Sequence, residues 1–141
     1  MGNNNKKIGV SQKVILLQEN GKFLTIRRSK TAPSRPLNWD LPGGDLDFGE
    51  DAKEGIIREI KEETGLEVSE PKVIDAISGL NDENEFWVTI CYTARPATTV
   101  VKLSYEHDDF KWVTPGEFQQ LEAAPKNKKF VERFDLVRAQ K

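Results

Sequence analysis

One segment constrains the fold more than any other, because it predicts a helix with acidic residues on its apolar side. Residues 51–64 are followed by Gly65, a residue type that commonly ends a helix. At about 100° per residue, Glu59 and Glu63 fall within roughly 20° of the direction that carries the apolar side chains. We therefore predict a helix that turns two carboxylates toward the interior of the protein.

Two inward carboxylates need positive partners. Glu54 and Lys61 lie near the opposite side, so the helix already has an ordinary solvated face. Ionised carboxylates that point inward are unfavourable unless a cation or hydrogen-bond donors compensate them. A divalent metal ion would supply that charge. The chain has one cysteine and one histidine, so the ligands would be oxygen atoms, which favours Mg²⁺ or Mn²⁺ over zinc.

The net charge of -2 hides a segregation of charge along the chain. Residues 1–39 carry eight Lys or Arg and one acid, whereas residues 40–70 carry eleven acids and three bases. A solvated acidic loop explains such a block simply, but a site for a divalent cation and a polyphosphate would need both signs. The mildly acidic balance disfavours nucleic-acid binding as the main role.

The length of 141 residues predicts a single domain that spans residues 1–141. With 37% hydrophobic and 31% charged residues, the composition is typical of a globular protein and excludes a disordered or fibrous one. No run approaches the roughly 18 apolar residues that cross a bilayer, and the polar start of the chain is unlike an export signal. We expect a cytoplasmic protein without a membrane partner.

The remaining pattern predicts alternating strands and helices. Asn20-Gly21 is a strong hairpin signal between two apolar runs, so we predict that the first two strands form a hairpin. Thr114 and Glu117 fit a capping box that starts a short helix, and Asn127 is placed to cap the last helix. The expected strands are residues 8–17, 22–28, 73–77, 85–93 and 110–113, with residues 29–45 mostly loop and helices at 51–64, 114–121 and from 127. This order predicts an α/β fold with a sheet covered by helices.

One motif is specific enough to suggest a family. Gly44 is followed after five residues by Glu50, and after seven more by the run Arg58-Glu-Ile-Lys-Glu-Glu-Thr-Gly-Leu66. This spacing resembles the complete Nudix box, because all nine fixed positions within 23 residues are matched. Residues 41–44 before the box and Glu106 after it resemble flanking segments of the family. The resemblance implies a Nudix-type α/β/α sandwich, with a mixed central sheet flanked by helices and a loop-helix-loop box.

The resemblance also implies a ligand set for one to three Mg²⁺ or Mn²⁺ ions. Arg58 is expected to orient a catalytic glutamate, whereas its simpler role is an ion pair with Glu62 one turn away. Glu106 matches a carboxylate that binds metal or acts as a base in some members, and otherwise it is a surface acid with Asp108 and Asp109 as substitutes. The implied metal ligands are Glu59, Glu62 and Glu63, with Glu50 acting through water, the carbonyl of Gly43, and Glu106.

Family members hydrolyse a nucleoside diphosphate linked to another group, by attack of water on a phosphorus of the pyrophosphate link. Glu59 is the first candidate for the base that takes the proton of the water, and Glu106 is the second. The basic residues of the second strand and the proline-rich loop could hold outer phosphates, although each one alone could simply be solvated. These phosphate candidates are Arg27, Arg28, Lys30 and Arg35.

Four side chains are candidates for contact with the base or the second group of the substrate. Trp39 could stack on a purine, although a tryptophan beside a proline loop also serves packing. Asn127 resembles a position that reads the purine edge in the branch that removes oxidised guanine nucleotides, and helix capping explains it equally well. Phe48 and His107 complete the set, and a surface position is the simple alternative for His107.

The substrate itself stays open. The first hypothesis is a MutT-like pyrophosphohydrolase that converts nucleoside triphosphates, including oxidised ones, into nucleoside monophosphate and pyrophosphate. Dinucleoside polyphosphates are an alternative, because residues 103–107 resemble that branch, and so are ADP-ribose and nucleotide sugars. A non-catalytic nucleotide-sensing module is the alternative outside enzymes. We expect a nucleotide as the small-molecule partner, no stable nucleic-acid partner, and a monomer or a homodimer.

Overall fold

The computed structural model of the chain describes residues 6–140. Residues 1–5, which form most of the polar start considered above, lie outside the described residues, as does residue 141. None of the helices within residues 6–140 is long and apolar enough to span a bilayer. In chain order the elements are β1 (Ile8–Leu16), β2 (Phe23–Arg28), β3 (Trp39–Asp40), β4 (Gly43–Asp45), α1 (Ala52–Thr64), β5 (Lys72–Leu80), β6 (Phe86–Ala94), β7 (His107–Val113), α2 (Pro115–Gln119) and α3 (Pro125–Ala139).

The strands divide between two sheets. The first sheet has the order β4-β1-β6-β5 and is mixed, since β1 and β6 run parallel while the two outer pairs are antiparallel. The second sheet has the order β3-β2-β7 and is antiparallel throughout. A parallel pair needs a long crossover, and here α1 and β5 lie between β1 and β6 in the chain.

Both faces of the first sheet are covered. On one face, Ile56 and Ile60 of α1 pack with Tyr92 of β6 in one buried cluster. On the other face, Cys91 of β6 packs with Phe130 of α3 in a second cluster. Adjacent residues of a strand point to opposite faces of the sheet, so the neighbours Cys91 and Tyr92 of β6 belong to different clusters. This is the predicted α/β/α sandwich with a mixed sheet and flanking helices.

The predicted hairpin between the first two strands is wrong. A turn does form, and Gly21 takes the left-handed conformation with φ 85°. Beyond it, a single bridge from Leu17 to Phe23 joins the two runs, and β1 and β2 then enter different sheets. Nine residue pairs join β1 to the distant β6, so pairing across the molecule decides where β1 lies and the local turn does not.

The helix ends were predicted with mixed success. Gly65 ends α1 with φ 73°, as predicted, whereas α1 begins one residue later than predicted, because Asp51 caps it by accepting a hydrogen bond from the Glu54 N–H. The capping box that starts α2 is confirmed as well. The capping role of Asn127 is wrong, because α3 already begins at Pro125, a residue whose fixed φ suits the first helical position. Asn127 therefore lies in the first turn with its side chain buried.

Candidate active site

Two adjacent glycines of β4, Gly43 and Gly44, contact the side chains of the acidic helix α1. A side chain at Gly43 would overlap the carbonyl oxygen of Gln12 on β1, and Gly43 has φ 154°. A Cβ at Gly44 would lie 2.5 Å from the carboxyl carbon of Glu59. The Gly43 N–H donates to the Glu63 carboxylate over 2.8 Å. The bare backbone of β4 thus makes room for two carboxylates of α1, as the helical periodicity predicted.

The ionised forms of the two inward carboxylates are unfavourable because these side chains are buried. Burial raises the pKa of Glu63 to about 8, although the charge of Lys13 and the N–H of Gly43 act in the opposite direction. Partial burial also raises the pKa of Glu59, and the Arg58 guanidinium opposes that rise. A pair of glutamates whose ionised forms are this costly is a favourable position for an additional cation.

Arg58 lies at the centre of the remaining box acids. Its Nε and Nη2 donate to the two oxygens of Glu50 over 2.8 and 3.1 Å, and its Nη1 donates to Glu62 over 3.1 Å. A third carboxylate, that of Glu59, lies 3.3 Å from Nη2. The hydrogen bonds from Arg58 lower the pKa of Glu50. Arg58 therefore makes more than an ion pair with Glu62, since it links Glu50, in the loop before α1, to Glu59 and Glu62 on the helix.

A buried charge network that the sequence did not reveal lies behind the glycines. Asp40 accepts hydrogen bonds from Lys13 over 2.9 Å, from Asn127 Nδ2 over 2.7 Å and from the Leu41 N–H over 2.8 Å. Burial alone would raise the pKa of Asp40, but the charge of Lys13 lowers it. A signal did exist, because Lys13 is a lone charge within an apolar strand whose next residues are Val14 to Leu16.

Two buried polar atoms beside this network have no hydrogen-bond partner within residues 6–140. They are the side-chain oxygen of Asn127 and Nδ1 of His107. An ionised carboxylate can only accept hydrogen bonds, so Asn127 presents its NH2 group to Asp40 and its side-chain oxygen is left unpaired. Buried polar groups are normally satisfied, so these two atoms mark a place where a ligand could donate or accept.

Four other sequence candidates are Trp39, Arg27, Asp108 and Glu106, and within the described residues none of them forms a hydrogen bond or an ion pair with the inward glutamates. Trp39 is buried, with the Lys111 ammonium 4.8 Å and the Arg27 guanidinium 5.8 Å from its ring centroid. Arg27 also pairs with Asp108 over 2.8 Å. Glu106 is exposed in the residue just before β7. Trp39 is thus packed against two basic side chains, and the carboxylate of Glu106 is accessible to solvent.

A cleft of about 640 Å³ opens beside this network. It lies between the turn that joins β5 to β6, the proline-rich loop and the start of α3. Four of the residues that line it are basic, namely Lys13, Arg28, Arg35 and Lys126, whereas Asp45, Asp82 and Glu83 are acidic, and Gly44 also lines it. Arg28 also approaches the Asp40 carboxylate at 3.5 Å. A polyanionic ligand could therefore lie with its charge between the basic wall and the glutamates of α1.

The residues present suit a divalent metal ion by their donor chemistry. They offer carboxylate and backbone oxygens, the donors that Mg²⁺ and Mn²⁺ prefer, and burial raises the pKa of Glu63, one of these carboxylates. Within the described part of the chain, no three acidic, histidine or cysteine side chains already form a metal cluster. Arg58 forms ion pairs with Glu50, Glu59 and Glu62. A metal ion bound by these carboxylates would therefore share them with the guanidinium.

An acidic helix behind a glycine strand, beside a cleft with four basic side chains, is an arrangement that suits phosphate groups and a divalent cation. The NUDIX domain model matches residues 7–134, and the chain belongs to this family. The chain is therefore a pyrophosphohydrolase, an enzyme that acts on acid anhydrides, and nucleotides are the small molecules on which the family acts. Nudix hydrolases generally use divalent metal ions.

Known proteins resemble the chain over most of its length. A MutT-like protein of Streptomyces ambofaciens is 30% identical over 112 residues, which cover 79% of this chain and 67% of the relative. A putative 8-oxo-dGTP diphosphatase of Bacillus subtilis (strain 168) is 32% identical over 123 residues, covering 86% of this chain and 76% of the relative. The crystal structure of a MutT protein from Methanosarcina mazei Go1 superposes with a TM-score of 0.83 at 31% identity, covering 95% of this chain and 97% of that one.

Proposed function

We propose that this chain works as a single Nudix domain that hydrolyses nucleoside triphosphates to nucleoside monophosphate and pyrophosphate. One observation carries the proposal, namely the gathering of Glu59 and Glu63 against Gly43 and Gly44 beside a basic cleft. The inward acids suit a divalent cation, and the basic wall suits a chain of phosphates. A dinucleotide or nucleotide sugar would use the same anhydride chemistry with a second group in place of the outer phosphates.

In this proposal Mg²⁺ or Mn²⁺ is held by the carboxylates of α1 together with the glycine strand. The ligands are Glu59, Glu62 and Glu63, the carbonyl oxygen of Gly43, and Glu50 through water, with Glu106 as a further carboxylate. When bound, the divalent ion would neutralise phosphate charge and acidify a water molecule. Arg58 acts as a positioning residue, because its hydrogen bonds to Glu50 and Glu62 keep those carboxylates at the mouth of the site.

The chemical step is a displacement at phosphorus by water. A new bond forms between the water oxygen and phosphorus, while the anhydride P–O bond breaks and its electrons leave with the departing phosphate group. Glu59 takes the proton of the water, and its raised pKa improves it as a proton acceptor near neutral pH. Glu106 is the second candidate for this base. Arg28 and Arg35, which line the cleft, hold the outer phosphates. Arg27, which pairs with Asp108 and does not line the cleft, is a weaker candidate for this role.

The name of one relative favours an oxidised purine among the triphosphates. The unpaired oxygen of Asn127 accepts hydrogen bonds only, so it suits a donor group of the bound nucleotide. Oxidation of guanine at C8 places an N–H at position 7, where guanine itself has an acceptor. The relative named as a putative 8-oxo-dGTP diphosphatase agrees with this substrate class. Trp39, the aromatic candidate from the sequence, contributes by packing beneath Arg27 and Lys111.

The test is a panel of substrates with separated products. The purified protein is incubated with Mg²⁺ and canonical or oxidised nucleoside triphosphates, dinucleoside polyphosphates, nucleotide sugars and ADP-ribose, and products are resolved by ion exchange. We expect nucleoside monophosphate and pyrophosphate in equal amounts from the triphosphates, and no product in EDTA or with the Glu63→Gln variant. If ADP-ribose or a dinucleoside polyphosphate were hydrolysed faster than the nucleoside triphosphates, that compound and not a triphosphate would be the preferred substrate. Metal-dependent nucleotide binding without turnover would contradict the proposed catalysis.

A further inference from the structure

A row of three residues crosses the first sheet at the floor of the cleft. Gly9 of β1 pairs with Trp87 of β6, and Trp87 pairs with Gly79 of β5. Residues that pair across neighbouring strands point to the same face of a sheet. Trp87 therefore stands on the cleft side with a glycine on each flank, and both Trp87 and Gly79 line the cleft.

The indole ring of Trp87 lies flat on the backbone of Gly9. A Cβ placed on Gly9 would lie 2.5 to 2.6 Å from three consecutive ring carbons. Nearly equal distances to three neighbouring carbons mean that the ring turns its face, and not its edge, toward Gly9. The opposite face of the ring is therefore directed away from the sheet. A Cβ at Gly79 would meet no atom within 4 Å, so that flank of the ring is open.

Polar groups continue from this aromatic floor toward the catalytic glutamates. In the next row of the sheet, Ser11 and Thr89 share a hydrogen bond of 2.6 Å, and Lys126 donates to Thr89 over 2.9 Å. Lys13 lies four residues beyond Gly9 on β1, which is about 13 Å along a strand. A ligand with a flat ring on Trp87 would thus direct any attached phosphate toward Lys126 and Lys13.

We infer that Trp87 is the stacking platform for the base of the nucleotide substrate. The inference deepens the proposed function and rests on it, because it names the side chain that selects a planar base over a sugar. An aromatic face that glycines leave uncovered suits a purine, the base with the larger ring surface. Trp87 was not among the sequence candidates because its two glycine neighbours are distant in the chain and meet it only in the folded sheet.

The first test measures binding of GMP by calorimetry in EDTA, with tryptophan fluorescence recorded in parallel. Base stacking on an aromatic side chain supplies enough energy that Trp87→Leu should weaken GMP binding about 5-fold to 100-fold. We expect GMP to quench the wild-type fluorescence and the saturable quench to disappear in Trp87→Leu. Ribose 5-phosphate, which has no base, should bind both proteins equally. Equal GMP affinity of the two proteins would overturn the inference, as would an equal loss for GMP and ribose 5-phosphate.

Two further variants separate stacking from general damage to the sheet. Phe86→Leu changes the neighbouring aromatic residue of β6, which points to the opposite face, so GMP binding should stay unchanged. Gly79→Val fills open space beside the ring without a clash at Cβ, so the fold should persist while GMP binding weakens. Thermal unfolding midpoints of all variants serve as the control. A Gly79→Val protein with wild-type GMP affinity would contradict the platform.

Failure of the platform and failure of the proposed function give different results. The platform is judged by GMP binding in EDTA, which needs no turnover. The proposed function is judged by release of pyrophosphate from nucleoside triphosphates with Mg²⁺. If the function holds, Trp87→Leu should raise KM for GTP by the same factor and change kcat little, because Trp87 binds the base and touches no reacting atom.

Discussion

At the scale of single residues, the candidate site depends on how α1 holds Glu63. Its carboxylate is buried, accepts one N–H from Gly43 and faces Lys13 at longer range. This environment favours the protonated acid and raises the pKa to about 8. In the metal-free protein the residue is therefore a source of instability at neutral pH, which a bound cation would remove.

The variant Glu63→Gln should be more stable than the wild type in EDTA at pH 8. The folded pKa of about 8 lies above the ordinary value of 4.5, so the stabilisation from protonated Glu63 is complete below about pH 4.5 and is lost as the pH rises toward 8. Glutamine keeps an acceptor for the Gly43 N–H and carries no charge. Melting temperatures from pH 5 to pH 8 should fall more steeply for the wild type than for the variant. Parallel curves would show that Glu63 is not the buried charge described here.

The pair of Lys13 and Asp40 allows a second prediction. Both side chains are mostly buried, with 16% and 9% exposed, so removal of one partner leaves an uncompensated charge. Asp40→Asn should lower the free energy of unfolding by about 3 kcal/mol, measured by urea denaturation. Adding Lys13→Met to that variant should restore part of the loss, because the unpaired ammonium is then absent. Strictly additive effects of the two substitutions would contradict a direct interaction.

These residues differ in how far sequence predicts them. The inward direction of Glu59 and Glu63 follows from helical periodicity alone, because it depends on residues within four turns. The partners Lys13, Asp40 and Asn127 come from β1, β3 and α3, and only the folded sheets bring them together. Asn127 was predicted as a cap and lies instead against a carboxylate 87 residues away in the chain.

At the scale of elements, the contact of β4 with α1 positions the site. Gly43 fits against the backbone of β1, and Gly44 fits against the carboxylate of Glu59. The first contact is between main chains and the second is with a side chain that acts in the proposed chemistry. The two glycines are adjacent, yet a methyl group should damage the protein differently at each position.

Alanine at the two glycines should separate stability from catalysis. Gly43→Ala would overlap a carbonyl oxygen, so it should cost about 3 kcal/mol or more of unfolding free energy. Gly44→Ala would displace the Glu59 carboxylate, so it should lower kcat by about 100-fold while the melting temperature changes little. Urea denaturation and steady-state kinetics check the pair. The opposite pattern, with Gly44→Ala unfolded and Gly43→Ala fully active, would contradict this geometry.

The elements also show what local sequence signals can decide. The C-terminal end of α1 was predicted correctly because its cap, Gly65, acts on groups within four residues. The turn at Gly21 was equally local and does form. The hairpin was wrong because the partner of β1 is β6, about 78 residues later, and no local rule weighs such a pairing.

At the scale of the whole molecule, the acidic and basic segments of the chain come together beside β4. The acidic block of residues 40–70 forms β4, α1 and the loop between them, while the basic residues Lys13, Arg28 and Lys126 line the neighbouring cleft. The simple explanation, a solvated acidic loop, does not hold for Glu63, which is largely buried. Both signs of charge meet at Gly44, where a nucleotide with its divalent cation would be neutralised from two sides.

The measurement that tests this account most directly is the rate of pyrophosphate release from GTP at increasing Mn²⁺, for the wild type, Glu59→Gln and Glu54→Gln. Both glutamates lie on α1, but Glu59 points inward to Gly44 and Glu54 is exposed on the solvent face. The account predicts saturable, metal-dependent release by the wild type and Glu54→Gln, and a rate at least about 100-fold lower for Glu59→Gln. Equal rates for all three proteins, or release of orthophosphate in place of pyrophosphate, would contradict it.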